Sequence, residues 1–306
     1  MSRPLKWSWG VVAIPEYALF LGCTIQTEQY GFEMSTRETL PRLGVDFVDL
    51  EGFSCCGYPL RSLNEQGWVY LTARNLAIAD ECGLDVLALC NGCHLSMCEV
   101  KHFLDHNPEL RDEINRHLAI EGLKYTGASG VRHLLEVLQK DIGSDEIKGV
   151  VKVPLDGFKF ASHYGCHALR PSAIGRPDDS EDPHILEDLM IALGAETDLY
   201  PERLDCCGAS LVVSDPAISF RLTGEKLKSV QTQGFDGMVT VCPFCHKMYD
   251  AKQGAVKSVI GDDSIDLPVF YYTQLLGLAM GLSQEELGIN FNLSPVEILL
   301  EKMGVD

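Results

Sequence analysis

Ten of the twelve cysteines fall into two sets of five with the same internal order. The first set runs from Cys23 through the vicinal pair Cys55-Cys56 to Cys90-Asn-Gly-Cys93. The second runs from Cys166 through Cys206-Cys207 to Cys242-Pro-Phe-Cys245. Only Cys82 and Cys98 stand outside the pattern, and small buried hydrophobes are the expected role for both. Thiols scattered over this much chain, in the same order twice, call for a fold that gathers distant segments at two built sites.

The duplication reaches beyond cysteine. Tyr17-Ala-Leu-Phe-Leu-Gly-Cys23 matches Phe160-Ala-Ser-His-Tyr-Gly-Cys166, and Leu43-Gly44 matches Leu193-Gly194. Short apolar runs at 17–22, 85–89, 158–164 and 237–241 have strand length. Residues 36–43, 68–81, 108–120, 131–140, 185–193 and 217–231 have helical spacing. Alternating strands and helices predict an α/β fold of two pseudo-symmetric tandem halves. Each half is a small, mostly parallel sheet with flanking helices. The expected division is 1–145 for the first half and 146–306 for the second, which carries a C-terminal helical extension. Residues 141–157 form the expected linker. Ser294-Pro-Val-Glu297 reads as a capping box that opens a last helix over 295–303. Cys90 and Cys242 then fall where a strand ends, and each C-x-x-C enters a helix. Both cysteine sets are therefore expected at the carboxyl ends of the strands, near the interface between halves. Gly57 and Gly208, after the vicinal pairs, are expected to allow close backbone approach to a bulky inorganic ligand.

Bulk properties narrow the function. The chain has 25 basic and 44 acidic residues and a net charge of −19, with no basic run, so nucleic acid is an unexpected partner. Arg3, Lys6 and the apolar stretch ending at Cys23 imitate a lipoprotein leader. Pro15 and Glu16 interrupt that stretch, so it reads as core strand instead. No run reaches membrane-spanning length. Many cysteines without an export signal point to a reducing cytoplasm and metal-bound thiolates rather than disulfides. No phosphate loop or flavin motif is present, so neither a nucleotide nor a flavin is expected in this chain.

Cys242-Pro-Phe-Cys245 alone would pass for a thioredoxin-like redox motif, but that leaves the vicinal pairs and the duplication unexplained. Zinc in one half is a second alternative, although four ligands would leave one cysteine over. Soft thiolates suit an iron–sulfur cluster. A cubane needs four cysteines, whereas each half offers five, two of them adjacent.

The doubled C…CCG…CxxC pattern resembles the cysteine-rich CCG-domain family, and within it the B subunits of heterodisulfide reductases. Phe20-Leu-Gly-Cys23, Cys90-Asn-Gly-Cys93, His163-Tyr-Gly-Cys-His167, Val241-Cys-Pro-Phe-Cys-His246 and Gln274-Leu-Leu-Gly-Leu-Ala-Met-Gly281 carry the likeness, which runs from about 18 to 288. Cys55-Cys-Gly-Tyr-Pro59 and His94 depart from the methanogen version. The resemblance implies two noncubane [4Fe-4S] clusters. Cys23, Cys55, Cys56, Cys90 and Cys93 would hold one, and Cys166, Cys206, Cys207, Cys242 and Cys245 the other. It implies reduction of a disulfide, such as that of coenzyme M and coenzyme B, by one electron from each cluster. It also implies partners: a cubane-containing C subunit, a flavin-containing A subunit that can bifurcate electrons, and hydrogenase or formate dehydrogenase modules further out. The alternative is a non-catalytic electron-transfer component of a CCG-containing oxidoreductase.

Histidines flank the motifs. His163 and His167 are candidates to deliver a proton near the reacting sulfurs. His94, His246 and Arg170 are candidates for substrate contact, Arg170 through an anionic group such as sulfonate or phosphate.

Overall fold

The computed structural model describes residues 16–304. The leader-like stretch up to Pro15 lies outside the described residues. Among the described residues, seven strands form two sheets, all of whose pairings are parallel. The first sheet contains β1 (Tyr17–Phe20), β2 (Phe47–Val48), β3 (Asp85–Ala88) and β4 (Val131–His133) in the order β2-β1-β3-β4. The second contains β5 (Phe160–His163), β6 (Gly237–Thr240) and β7 (Val269–Tyr271) in that order. Tyr17 pairs with Asp85 as Phe160 pairs with Gly237, so β1 and β3 correspond to β5 and β6. The counterpart of β2 shrinks to a single bridge between Lys159 and Glu196.

Alternate side chains of each strand enter opposite faces of its sheet. Tyr17, Leu19 and Leu87 join Phe160, Val239 and Phe270 in one buried cluster. Phe20 and Val86 join Ala161, Met238 and Val269 in the other. Both cores therefore run through both halves. The helix Tyr272–Ala279 packs on Tyr30–Thr39 of the first half, where the Ser35 and Thr273 hydroxyls lie 2.7 Å apart.

Four segments differ from the sequence expectation. Residues 131–133 open the expected helix 131–140 as the edge strand β4, because they pair with β3. The expected linker contains the helix Ser144–Gly149, packed on Ile185–Ala192, and this helix spans the expected boundary at 145/146. The expected helix 36–43 is the end of Tyr30–Thr39 followed by a 3₁₀ turn, Pro41–Leu43. The last helix is Glu297–Met303, and Ser294 does not cap it. The Ser294 hydroxyl instead accepts from the β7 amide of Val269 at 3.0 Å. Tertiary pairing outcompetes the local capping signal there.

Candidate metal centre

Four of the cysteine-bearing segments leave strand ends. β1 runs through Gly22 to Cys23, and β5 runs through Gly165 to Cys166. β3 and β6 end just before Cys90 and Cys242, each an extended residue that starts a helix, Asn91–His106 or Pro243–Tyr249. The vicinal pairs lie on loops held by neighbouring helices. The Thr72 hydroxyl donates to the Cys56 carbonyl at 2.5 Å, and the Thr223 hydroxyl to the Cys207 carbonyl at 2.9 Å.

All ten cysteines line one cavity of about 560 Å³ between the halves. Their thiols touch in a mirrored series. Cys23 meets Cys55, Cys55 meets Cys56, Cys56 meets Cys93, and Cys93 meets Cys90. Cys90 then meets Cys242 across the interface. The series continues through Cys245, Cys207 and Cys206 to Cys166. Cys23 and Cys55 lie 3.8 Å apart, and Cys207 and Cys245 lie 3.4 Å apart. All twelve cysteines are free thiols.

Thiols this close cannot all ionise by themselves. Hydrogen bonds to neighbouring sulfurs, with burial, push Cys93, Cys245 and Cys166 up, and Cys207 up to about 12. Bonds from Cys166 and Cys207 pull Cys206 down to about 2. Bonds from Cys245 and Cys90 hold Cys242 low, helped by the Phe244 and Cys245 amides. Five mutually repelling thiolates per half need a cationic, thiophilic group at their centre. Among the described residues the wall also carries no carboxylate and no lysine, so its donors are soft. The two donor sets therefore fit a metal–sulfur group.

Two glycines make room for the sulfurs. Gly22 has φ +66°, and a Cβ on it would sit 2.8 Å from the Cys93 sulfur. Gly165 has φ +78°, and its Cβ would sit 3.0 Å from the Cys245 sulfur and 2.6 Å from Asn91 Nδ2. The Gly-Cys dipeptide in both copies was the sequence signal for these positions.

The flanking residues separate into distinct places. His167 lines the cavity, and its Nε2 lies 3.0 Å from the Tyr58 hydroxyl of the other half. His163 is fully buried beside Cys207 and Cys245. His94 is buried behind the wall, with Cys98 and Glu136 each 3.5 Å from its Nε2. His246 stacks on Tyr271 at 3.9 Å and meets Gln29 Oε1 at 3.1 Å, joining the halves away from the cavity. Arg170 is exposed and is not on the cavity wall. Cys82 is exposed and Cys98 half-buried against His94, so neither is the buried hydrophobe expected.

Sequence reasoning missed the residues that brace the site. Arg61 is the cationic residue on the wall, ion-paired to the buried Glu99 at 2.8 Å. Asn91 Nδ2 donates to the Tyr164 carbonyl at 2.6 Å, just before Gly165 and Cys166. His133 Nδ1 accepts from the Leu135 amide, so its Nε2–H donates to Asn91 Oδ1 at 2.8 Å and fixes the amide. Nothing in the residue pattern linked Asn91 to Tyr164, because the two come from different halves.

Comparison with known proteins agrees with this geometry. The cysteine-rich domain (CCG) family matches residues 17–98 and again 160–250. The chain is 38% identical, over 90% of its length and 92% of the relative's, to the B subunit of the ferredoxin/F420H2-dependent CoB–CoM heterodisulfide reductase of Methanosarcina acetivorans. It is 37% identical to a protein of Archaeoglobus profundus described as like the heterodisulfide reductase B subunit, over 89% of this chain and 92% of that one. It is also 34% identical to the 8-methylmenaquinol:fumarate reductase membrane anchor subunit of Wolinella succinogenes, over 90% and 96%. Among solved structures, a hypothetical protein from Helicobacter pylori superposes with a TM-score of 0.73 at 17% identity, over 93% of this chain and 54% of that one, which speaks to the fold alone. Among the described residues, no helix is long and apolar enough to cross a membrane.

Proposed function

Since the chain belongs to the CCG cysteine-rich-domain family and is like the B subunits of heterodisulfide reductases, we propose that it is the catalytic component of a heterodisulfide reductase-type complex. The observation that carries this reading is the single cavity on which two complete five-cysteine sets face each other. In this reading Cys23, Cys55, Cys56, Cys90 and Cys93 hold one noncubane [4Fe-4S] cluster, and Cys166, Cys206, Cys207, Cys242 and Cys245 hold the other. When bound, the two clusters supply the two electrons that a disulfide needs to become two thiols.

The chain's own residues supply the rest. Two protons accompany the two electrons, and Tyr58 and His167 meet at the cavity wall from opposite halves. Burial lowers the His167 pKa, so the ring rests neutral and hydrogen-bonds with Tyr58. Arg61 is held by Glu99 and by the face of Trp68, 5.1 Å away, and faces the cavity where an anionic substituent of the disulfide would lie. These contacts favour Arg61 over Arg170 as the anion contact. Electrons arrive through cubane-containing (C) and flavin-containing (A) partners, with hydrogenase or formate dehydrogenase modules further out. The disulfide is that of coenzyme M and coenzyme B or a related one.

The second reading is a non-catalytic electron-transfer component, favoured by the likeness to a fumarate reductase subunit. The two readings separate in one assay. The cluster-loaded chain, given reduced viologen and a panel of disulfides including the heterodisulfide, should release two thiols per disulfide consumed. His167→Gln should slow that turnover about tenfold or more, as expected for losing a positioned proton-transfer group, while iron content stays unchanged. Oxidation of viologen by an external carrier with no thiol released would support the relay instead.

A further inference from the structure

The two halves hold their thiols with the same backbone but different charges. Thr72 and Thr223 play one role, each donating to the second carbonyl of a vicinal pair. Three residues further on, Asn75 therefore corresponds to Lys226. Asn75 ties the first vicinal loop, accepting from the Ser54 amide at 2.8 Å and donating to the Cys55 carbonyl at 3.2 Å. Lys226 ties the second loop, donating to the Asp205 carbonyl at 2.7 Å and the Arg203 carbonyl at 3.3 Å. Its third bond goes to His163 Nδ1 at 3.0 Å. The alignment of β1 with β5 puts Phe20 at the position of His163. At these two positions the first half has neither the cation nor the imidazole, and its own wall cation, Arg61, is neutralised by the ion pair with Glu99.

Lys226 is 1% exposed, and none of its three hydrogen-bond partners is a carboxylate. A desolvated ammonium without a counter-charge is costly. Burial lowers its pKa to about 8, opposed by Cys245, Asp205, Cys207 and Cys206, so its counter-charge is the Asp205 carboxylate together with the sulfurs of the second set. Three acceptors around Nζ match the three donors of an ammonium. His163 Nδ1 is therefore an acceptor, and the ring proton sits on Nε2. Nε2 is buried with no hydrogen-bond partner among the described residues, and a ring nitrogen of His163 lies with the Cys207 and Cys245 sulfurs in a group whose atoms are within 4.8 Å of one another. A protonated Nε2 does not ligate metal. Its N–H is left to donate to a sulfur of a bound cluster.

We infer that Lys226 and His163 make the second-half site unequal to the first, a buried cation and an N–H···S donor that favour the more negative, reduced state there. The second-half cluster is then the first of the two to accept an electron from the external donor. Net charge and hydrogen bonds to sulfur are the levers that set iron–sulfur potentials. This inference rests on the reading that each half holds a cluster, and it goes beyond that reading by ordering the two.

The test is a potentiometric titration followed by electron paramagnetic resonance on the full, cluster-loaded chain, with iron measured in every sample. Wild type should show two midpoints, and a Cys93→Ala chain should retain the higher one. Lys226→Met should lower that higher midpoint so that, at its original potential, the reduced-to-oxidised ratio falls at least tenfold, which is 59 mV for one electron. The lower midpoint should stay in place. Lys226→Gln, which keeps polar contacts without charge, should act in the same direction. Lys226→Arg should leave both midpoints in place, and His163→Phe should give a smaller negative shift. A two-cluster chain whose midpoints ignore Lys226→Met and Lys226→Gln overturns the inference alone. Wild-type iron sufficient for one cluster only removes the two-cluster reading, and the inference with it.

Discussion

Cys93→Ala should lose about half of the protein's iron and essentially all of its disulfide-reducing activity, and Cys245→Ala should do the same from the other half. Each of these cysteines links two others of its set. Cys93 touches both Cys56 and Cys90, and Cys245 touches both Cys207 and Cys242. Removing either separates Cys90 or Cys242 from the other three thiols of its set. The second set should keep its metal in Cys93→Ala, because the two sets meet at Cys90 and Cys242, not at Cys93. Activity should nevertheless vanish in both variants, because one remaining one-electron centre cannot complete a two-electron cleavage. Iron analysis and the viologen assay on the same samples check both statements. A single-cysteine variant that keeps full iron would contradict the five-ligand assignment. A half-loaded chain with wild-type turnover would contradict the two-centre mechanism.

Gly208→Ala should be among the most destabilising single-methyl additions in the chain. Gly208 has φ +84°, where an L-residue costs about 1–2 kcal/mol. Its added Cβ would also sit 2.5 Å from the carbonyl oxygen of Ser219, on a helix that cannot move without dragging the second vicinal pair. Overpacking of this kind costs about 1–3 kcal/mol more. A total near 3 kcal/mol corresponds to a fall in melting temperature of about 5 °C for a chain of this size. Gly57→Ala should follow with a smaller loss, because its closest contacts are 3.2 Å from Leu71 and Trp68. Thermal unfolding of both variants, each checked for iron, tests the ranking. Equal melting temperatures for Gly208→Ala and wild type would show that the turn has room the structure does not give it.

These two glycines also mark the limit of what the sequence could say. Their spacing after the vicinal pairs pointed to a turn and a close approach, and both are real. A Cβ added at either position would meet the neighbouring helix, while the backbone turns toward the site: the Gly208 amide donates to the Cys206 sulfur at 3.4 Å. The strands carrying Cys23, Cys90, Cys166 and Cys242 were legible because apolar runs end abruptly at each cysteine. The short strands β2, β4 and β7 were not, since three or fewer residues carry no readable alternation and depend on a neighbour to pair with. The ten ligand candidates could be read from spacing alone. Asn91, His133, Tyr58 and Arg61 could not, because each acquires its role from a partner far along the chain or in the other half. His94 and His246 sit on the motif in sequence, yet the helical turn after each C-x-x-C carries them behind the wall.

The most direct measurement of the central claim is iron and acid-labile sulfide per chain in the anaerobically loaded protein, followed by spectroscopy on titrating a thiol into the oxidised sample. Two facing clusters predict about eight irons per chain and a paramagnetic signal that appears or shifts when thiol is added. About four irons per chain, or a signal indifferent to every thiol and disulfide offered, would contradict it.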